Sequence, residues 1–119
     1  LRRGDQHHLG RVRRGEIRLV AGGVYARKPR PAVVLQDDLF AALDSVTVCP
    51  LTTTVVDAPL LRVPIAATEI SGIDADSYAM VDKLTTVKRT NVGDAVGELT
   101  AQQLADIERR VLVFLGIAR

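Results

Sequence analysis

The sequence predicts a mainly β (α+β) domain, a small, partly open β-barrel followed by one C-terminal amphipathic helix. Three observations carry that expectation. Short β-favouring segments recur along the chain, separated by Gly, Pro and Asp turn signals, as in small barrels and sandwiches. Only the last stretch has the 3.6-residue period of an amphipathic helix. At 119 residues, the chain has room for one domain with one modest core.

Residues 16–21 alternate partly between apolar and polar side chains and end at Gly22-Gly23, a turn signal. Residues 31–36 form a short buried strand headed by Pro31, which a strand tolerates at its first position. Residues 37–43 open with two aspartates and suit one or two helical turns, because carboxylates favour a helix N-terminus. Residues 45–51 and 60–65 read as strands, residues 71–77 as a loop, and residues 78–83 as a return to strand. Residues 85–89 and 94–99 supply the last sheet segments. Thr100 and Gln103 then have the spacing of a capping box, hydroxyl to the N3 amide and Gln side chain back to the cap amide. Leu104, Ile107, Val111 and Leu115 make one apolar stripe, and Gly116 follows as a natural helix-ending residue.

The bulk numbers narrow the functional classes. An apolar content of 47%, five prolines and no low-complexity tract indicate a folded chain. No apolar run reaches the ~18 residues of a membrane span, and the Arg-rich start differs from a secretory signal. One cysteine forms no internal disulfide, in keeping with a reducing cytoplasm. Residues 1–11 are polar and aperiodic and read as a tag or disordered leader, with a single domain over residues 12–119. Both histidines, His7 and His8, fall in that leader. The net charge of +2 is unevenly placed, because residues 1–14 hold five arginines against Asp5 alone and the rest is slightly acidic. A nucleic-acid footprint therefore rests on local clusters, Arg27-Lys28-Arg30 and Lys83 with Lys88-Arg89. With no Trp, two Tyr and two Phe, the chain is thinly furnished for stacking on many bases.

Several short motifs occur in an order that resembles the MazF/PemK toxins. Residues 14–17 read Arg-Gly-Glu-Ile on a first strand, and Arg30-Pro31 leads into an apolar strand through Leu35. Asp37-Asp38 follows in a turn, then an apolar strand ending in Pro50-Leu51-Thr52. Asp82, Thr86-Val87-Lys88-Arg89 and Val96-Gly97-Glu98-Leu99 continue the same order into the last helix. The resemblance runs from about Arg13 to Gly116. It implies an SH3-like/CcdB-like barrel and a sequence-selective endoribonuclease that cuts single-stranded RNA with no metal and no cofactor. It further implies a homodimer whose RNA groove crosses the interface, and a cognate antitoxin protein that neutralises it in the cytoplasm. The turn over residues 21–29 departs from the family pattern, carrying Tyr25 and lacking the acidic residue many relatives have there.

RNA is cut when a 2′-hydroxyl attacks the adjacent phosphorus and expels the 5′-oxygen, leaving a 2′,3′-cyclic phosphate and a 5′-hydroxyl. The enzyme must orient the attack and neutralise the extra charge of the phosphorane. The domain has no histidine pair for this, and its carboxylates are scattered rather than clustered as metal ligands. An arginine with a hydroxyl remains. Arg30 is the first candidate, since Pro31 holds it extended at a strand mouth, where its planar fork can grip two phosphate oxygens. Its pKa, above about 12, suits charge stabilisation rather than general-base work. Thr52 is the second; the resemblance places the functional threonine first in the run, and Thr53 is the alternative, directed to the opposite face by strand alternation. Lys28, Lys83, Lys88, Arg27 and Arg89 are candidates for phosphate contacts, Tyr25 for stacking on a splayed base, and Asp82 for orienting an arginine or reading a base. Cys49, inside an apolar strand, reads as core.

Two other functions fit parts of the sequence. A CcdB-like gyrase poison shares the architecture and depends on a C-terminal Trp-Gly-Ile, where this chain has Leu115-Gly116-Ile117. A non-catalytic, SH3-like RNA- or protein-binding module would leave the ordered motifs without a role.

Overall fold

The computed structural model describes residues 11–22 and 25–118, and the side chains of residues 25–27 lie outside that description. Among the described residues the elements run β1 Glu16–Gly22, β2 Tyr25–Val34, β3 Ser45–Thr52, β4 Arg62–Ile65, β5 Ser77–Met80, β6 Thr85–Lys88, β7 Val92–Glu98 and α1 Ala101–Phe114. The strands form one antiparallel sheet in the order β4-β5-β3-β2-β1-β7, with β6 pairing to the same β3 that carries β5. The mainly β architecture with a C-terminal helix is as the sequence predicts. The sheet stays open, with β4 and β7 as its two ends.

Register explains how so small a sheet buries both faces. Ile17 pairs with Val33, Val33 with Cys49, and Leu51 with Ala79, so these side chains share one face. With Val63, Ile65, Val81 and the helix residue Ile107 they form the larger core. One step along each strand, Ala32, Val34, Val46, Val48 and Val87 point the other way and form a second core with Val20. The helix covers only the first face.

The gap between the two sheet ends is narrowed by the chain after β4. The Glu98 amide on β7 donates to the Ile70 carbonyl at 3.0 Å. The approach is close enough to require two glycines, since a Cβ at Gly97 would lie 2.2 Å from the Ser71 carbonyl oxygen and one at Gly72 1.8 Å from that of Val96. Gly72 also takes a positive φ of 67°.

The helix follows its sequence signals at both ends. The Thr100 hydroxyl accepts from the Gln103 amide at 3.2 Å, and the Gln103 side chain accepts from the Thr100 amide at 2.9 Å. At the other end the Gly116 amide donates to the Val113 carbonyl and the Ile117 amide to that of Leu112, with Gly116 at φ 76°. This is the Schellman arrangement, and it gives Gly116 a capping role. Ile107 is fully buried, and Leu104 and Val111 pack beside the core, whereas Leu115 lies past the last turn and is 55% exposed.

Three expectations need correction. Residues 78–83 are not one strand, because β5 stops at Met80 and Val81–Lys83 form a 3₁₀ turn. The cause is a register mismatch: from the Leu51↔Ala79 pair to the Val48↔Thr85 pair, β3 advances three residues while the facing chain advances six. The surplus is extruded as the turn. Residues 37–43 make only a short 3₁₀ turn, Asp38–Phe40, whose N-cap Asp37 accepts from the Leu39 amide at 2.8 Å. Finally, β2 begins well before Pro31. It pairs with β1 from Tyr25 to Val33, and its pairing with β3 begins only at Ala32, so Pro29 and Pro31 sit before the second edge asks for a donor. The predicted leader lies outside the described residues except for Arg11, whose carbonyl accepts from the buried Arg18 guanidinium at 2.7 Å.

Candidate active site

Arg30 and Thr52 meet in one cleft at the edge of the β2–β3 pairing. The β2–β3 ladder ends at Ala32↔Pro50, and Arg30 and Thr52 each lie two residues beyond that last pair. Both side chains line one cleft of about 500 Å³, together with Met80, Asp82, Lys83 and Thr85. One wall comes from β2 and β3 and the other from the 3₁₀ turn Val81–Lys83 and the start of β6. The mismatch that extrudes that turn thus builds half of the site.

Arg30 is exposed, and none of the ion pairs among the described residues engages it. Its fork is available to a phosphate. Thr52 is half-buried, and its Oγ1 accepts from the Thr54 amide at 3.1 Å. That bond fixes the oxygen and leaves the hydroxyl proton to donate outward. Thr53 is exposed and does not line the cleft, so the structure brings Thr52, not its neighbour, to Arg30.

Asp82 and Lys83 both lie at the cleft, but Asp82 is already engaged. Arg62 donates to its Oδ1 at 2.5 Å, and the Lys83 ammonium stands 3.6 Å from Oδ2. Burial raises the Asp82 carboxyl, yet the hydrogen bond and charge of Arg62, with a smaller contribution from Lys83, outweigh it and hold the group below the usual carboxylate range. The expectation that Asp82 orients an arginine has its counterpart here, with Arg62 as that arginine. Sequence reasoning passed over Arg62. The only local signal was a charged residue between Leu61 and Val63 in an apolar strand.

The remaining candidates are dispersed. Lys28 is exposed on β2, and Lys88 is exposed at the far end of β6, opposite Ser45. Arg89 is spent on the loop before β3, where it donates to the Leu43 carbonyl at 3.0 Å and also to that of Ala41. The side chains of Tyr25 and Arg27 lie outside the described residues. Among the described residues no three His, Cys, Asp or Glu side chains converge as metal ligands, and no helix is long and apolar enough to cross a membrane.

Cys49 is fully buried in the larger core, and burial, helped by the Asp82 charge, pushes its thiol up to about 12. Compared with an ordinary value of 9.0, that leaves roughly a thousandfold less thiolate at neutral pH. The folded protein should therefore resist a thiol-specific maleimide at neutral pH, with full labelling only in denaturant. Rapid stoichiometric labelling of native protein would show that Cys49 is not a core residue.

Comparisons with known proteins agree with the fold. A curated relative, "Probable endoribonuclease MazF" of Mycolicibacterium smegmatis, is 47% identical over 108 residues, covering 90% of this chain and 99% of that protein. Among solved structures, the Mycobacterium tuberculosis toxin MazF-mt6 superposes with a TM-score of 0.75 at 25% identity, covering 87% of this chain and 99% of that one. A MazE–MazF crystal structure from Deinococcus radiodurans shares the fold at a TM-score of 0.73 and 19% identity, covering 91% and 99% of the two chains. The PemK-like, MazF-like toxins of type II toxin–antitoxin systems match residues 13–115, and the chain belongs to that family.

Proposed function

We propose that the chain is an endoribonuclease toxin that cleaves single-stranded RNA without a metal, using Arg30 and Thr52. The observation that carries this reading is their convergence, from neighbouring strands, in one open cleft. Arg30 grips two non-bridging oxygens of the scissile phosphate and stabilises the charge that grows as the phosphorane forms. Thr52 donates its hydroxyl to the same phosphate, and Lys83 adds positive charge on the facing wall. The adjacent 2′-oxygen attacks phosphorus, the P–O5′ bond breaks, and the two protons pass through solvent in the open cleft. The products are a 2′,3′-cyclic phosphate and a 5′-hydroxyl. An arginine fork and a hydroxyl here take the charge-stabilising part that a metal takes in other nucleases.

The same reading extends to partners. A homodimer would extend each cleft into a groove across the interface, and a cognate antitoxin protein would occlude it. The relative from M. smegmatis is named a probable endoribonuclease, and the D. radiodurans neighbour was solved as a MazE–MazF complex. A cytoplasmic site of action follows from an RNA substrate.

Cleavage of a mixed-sequence RNA should persist in excess EDTA. The fragments should accept a 5′ label from polynucleotide kinase without prior phosphatase treatment and carry 2′,3′-cyclic ends. Strict dependence on Mg²⁺ or Mn²⁺, or 5′-phosphate products, would sink the mechanism.

A further inference from the structure

Arg62 belongs to the edge strand β4 and pairs in register with Met80, two residues before Asp82. Its side chain is only 11% exposed. The guanidinium donates from Nη1 to the Asp82 carboxylate and, at 3.1 Å, to the Leu61 carbonyl, while its Nε is buried with no partner. The Leu61 carbonyl also accepts the Val81 amide at 3.0 Å. The first two residues of the Val81–Lys83 turn are thus both tied to the start of β4.

Stability alone does not account for this arrangement. A desolvated cation with an unsatisfied N–H is costly, and apolar side chains of similar volume commonly stabilise a fold as well or better. Its effect on the cleft is electrostatic. Asp82 lines the same cavity as Arg30 and Lys83. A carboxylate released there would repel an RNA phosphate and compete with it for Arg30.

We infer that Arg62 is a positioning residue of the cleft: by holding the Asp82 carboxylate against β4, it keeps that charge off Arg30 and leaves the cleft more cationic toward an RNA phosphate. This rests on the endoribonuclease reading, and it adds a residue outside the cavity to the machinery. Lys83 is set by the same tie, because the turn that carries it is anchored through Val81 and Asp82.

Arg62→Gln keeps a hydrogen-bond donor and removes the charge, stranding the carboxylate in the cleft. Its kcat/KM on fluorogenic RNA should fall about tenfold, mainly through KM, and its affinity for an uncleavable 2′-O-methyl RNA should fall in parallel. Arg62→Lys should recover most of that loss. The Arg62→Gln/Asp82→Asn double variant no longer carries the stranded charge and should bind 2′-O-methyl RNA more tightly than Arg62→Gln alone. A merely structural role gives the opposite order, since the double variant loses both halves of the tie. A folded double variant no better than the single one overturns the inference. Should Arg62→Gln fail to fold, Asp82→Asn decides. With Arg62 intact, losing one negative charge should tighten 2′-O-methyl RNA binding and steepen its salt dependence, and unchanged or weaker binding overturns the inference. Arg30→Ala in the same assays separates the two readings. Full cleavage by that variant refutes the catalytic assignment, whereas its loss alongside an unrescued double variant refutes only the role of Arg62.

Discussion

Arg30→Ala and Thr52→Ala should each abolish measurable RNA cleavage while leaving the protein folded. Arg30 is exposed and Thr52 half-buried at a strand end, so neither truncation opens a hole in either core. Removing one preorganised donor from a developing oxyanion typically costs about 10²–10³ in rate, or about 2.7–4 kcal/mol. Arg30→Lys should be nearly as impaired, because an ammonium keeps the charge and loses the planar fork that holds two oxygens of one phosphate. Thr52→Ser should retain substantial activity and Thr52→Val very little, since only the serine keeps a hydroxyl to take the Thr54 amide and donate outward. A fluorogenic mixed-sequence RNA assay reads all of these, with circular dichroism as the folding control. Full activity in a folded Arg30→Ala protein refutes the assignment. No activity in the wild type, on RNAs covering all short sequences, would return the question to a gyrase poison or a non-catalytic module.

The pair was legible in the sequence because each member is marked by its neighbours along the chain. Pro31 identifies Arg30 as the extended residue at a strand mouth, and the apolar alternation of residues 46–51 carries the strand out to Thr52. Their convergence in one cleft was not legible, since the pairing of β2 with β3 follows from the fit of whole faces and no local pattern states it. The opposite wall was hidden for a related reason. The apolar run Tyr78-Ala79-Met80-Val81 continues to Asp82 without a Gly or Pro break, so nothing local announces that three residues are extruded. Arg62 was invisible in function because its partner Asp82 lies twenty residues away. The helix shows the converse. Its cap and stripe are local signals and were read correctly, but the stripe pattern also enrolled Leu115, which the Gly116 cap places beyond the last turn.

That contrast within one stripe sets the largest expected effect on stability. Ile107 is the fully buried residue of α1, seated in the core shared with Ile17, Val33, Val63 and Ile65. Ile107→Asp removes that packing and puts a carboxylate among apolar side chains that offer it no cation. Losing a buried Ile side chain costs about 2–5 kcal/mol by itself, and the unpaired charge adds to it. A domain of this size has roughly 5–15 kcal/mol in hand, so the variant should be unfolded or barely folded at 37 °C. Ile107→Val, which deletes one methylene, should cost only about 0.5–1.5 kcal/mol. Thr100→Ala should fall in a similar range, about 0.5–2 kcal/mol, because it removes one half of the capping box and leaves the core intact. Leu115→Asp, four residues after Val111 on the same stripe, should change stability little, since that side chain is already mostly in water. Urea unfolding followed by circular dichroism gives the four values on one scale. The order Ile107→Asp far above Thr100→Ala and Ile107→Val, with Leu115→Asp lowest, follows if the helix is held to the sheet through Ile107. An Ile107→Asp protein that unfolds at the same urea concentration as the wild type would show that α1 does not pack on this core.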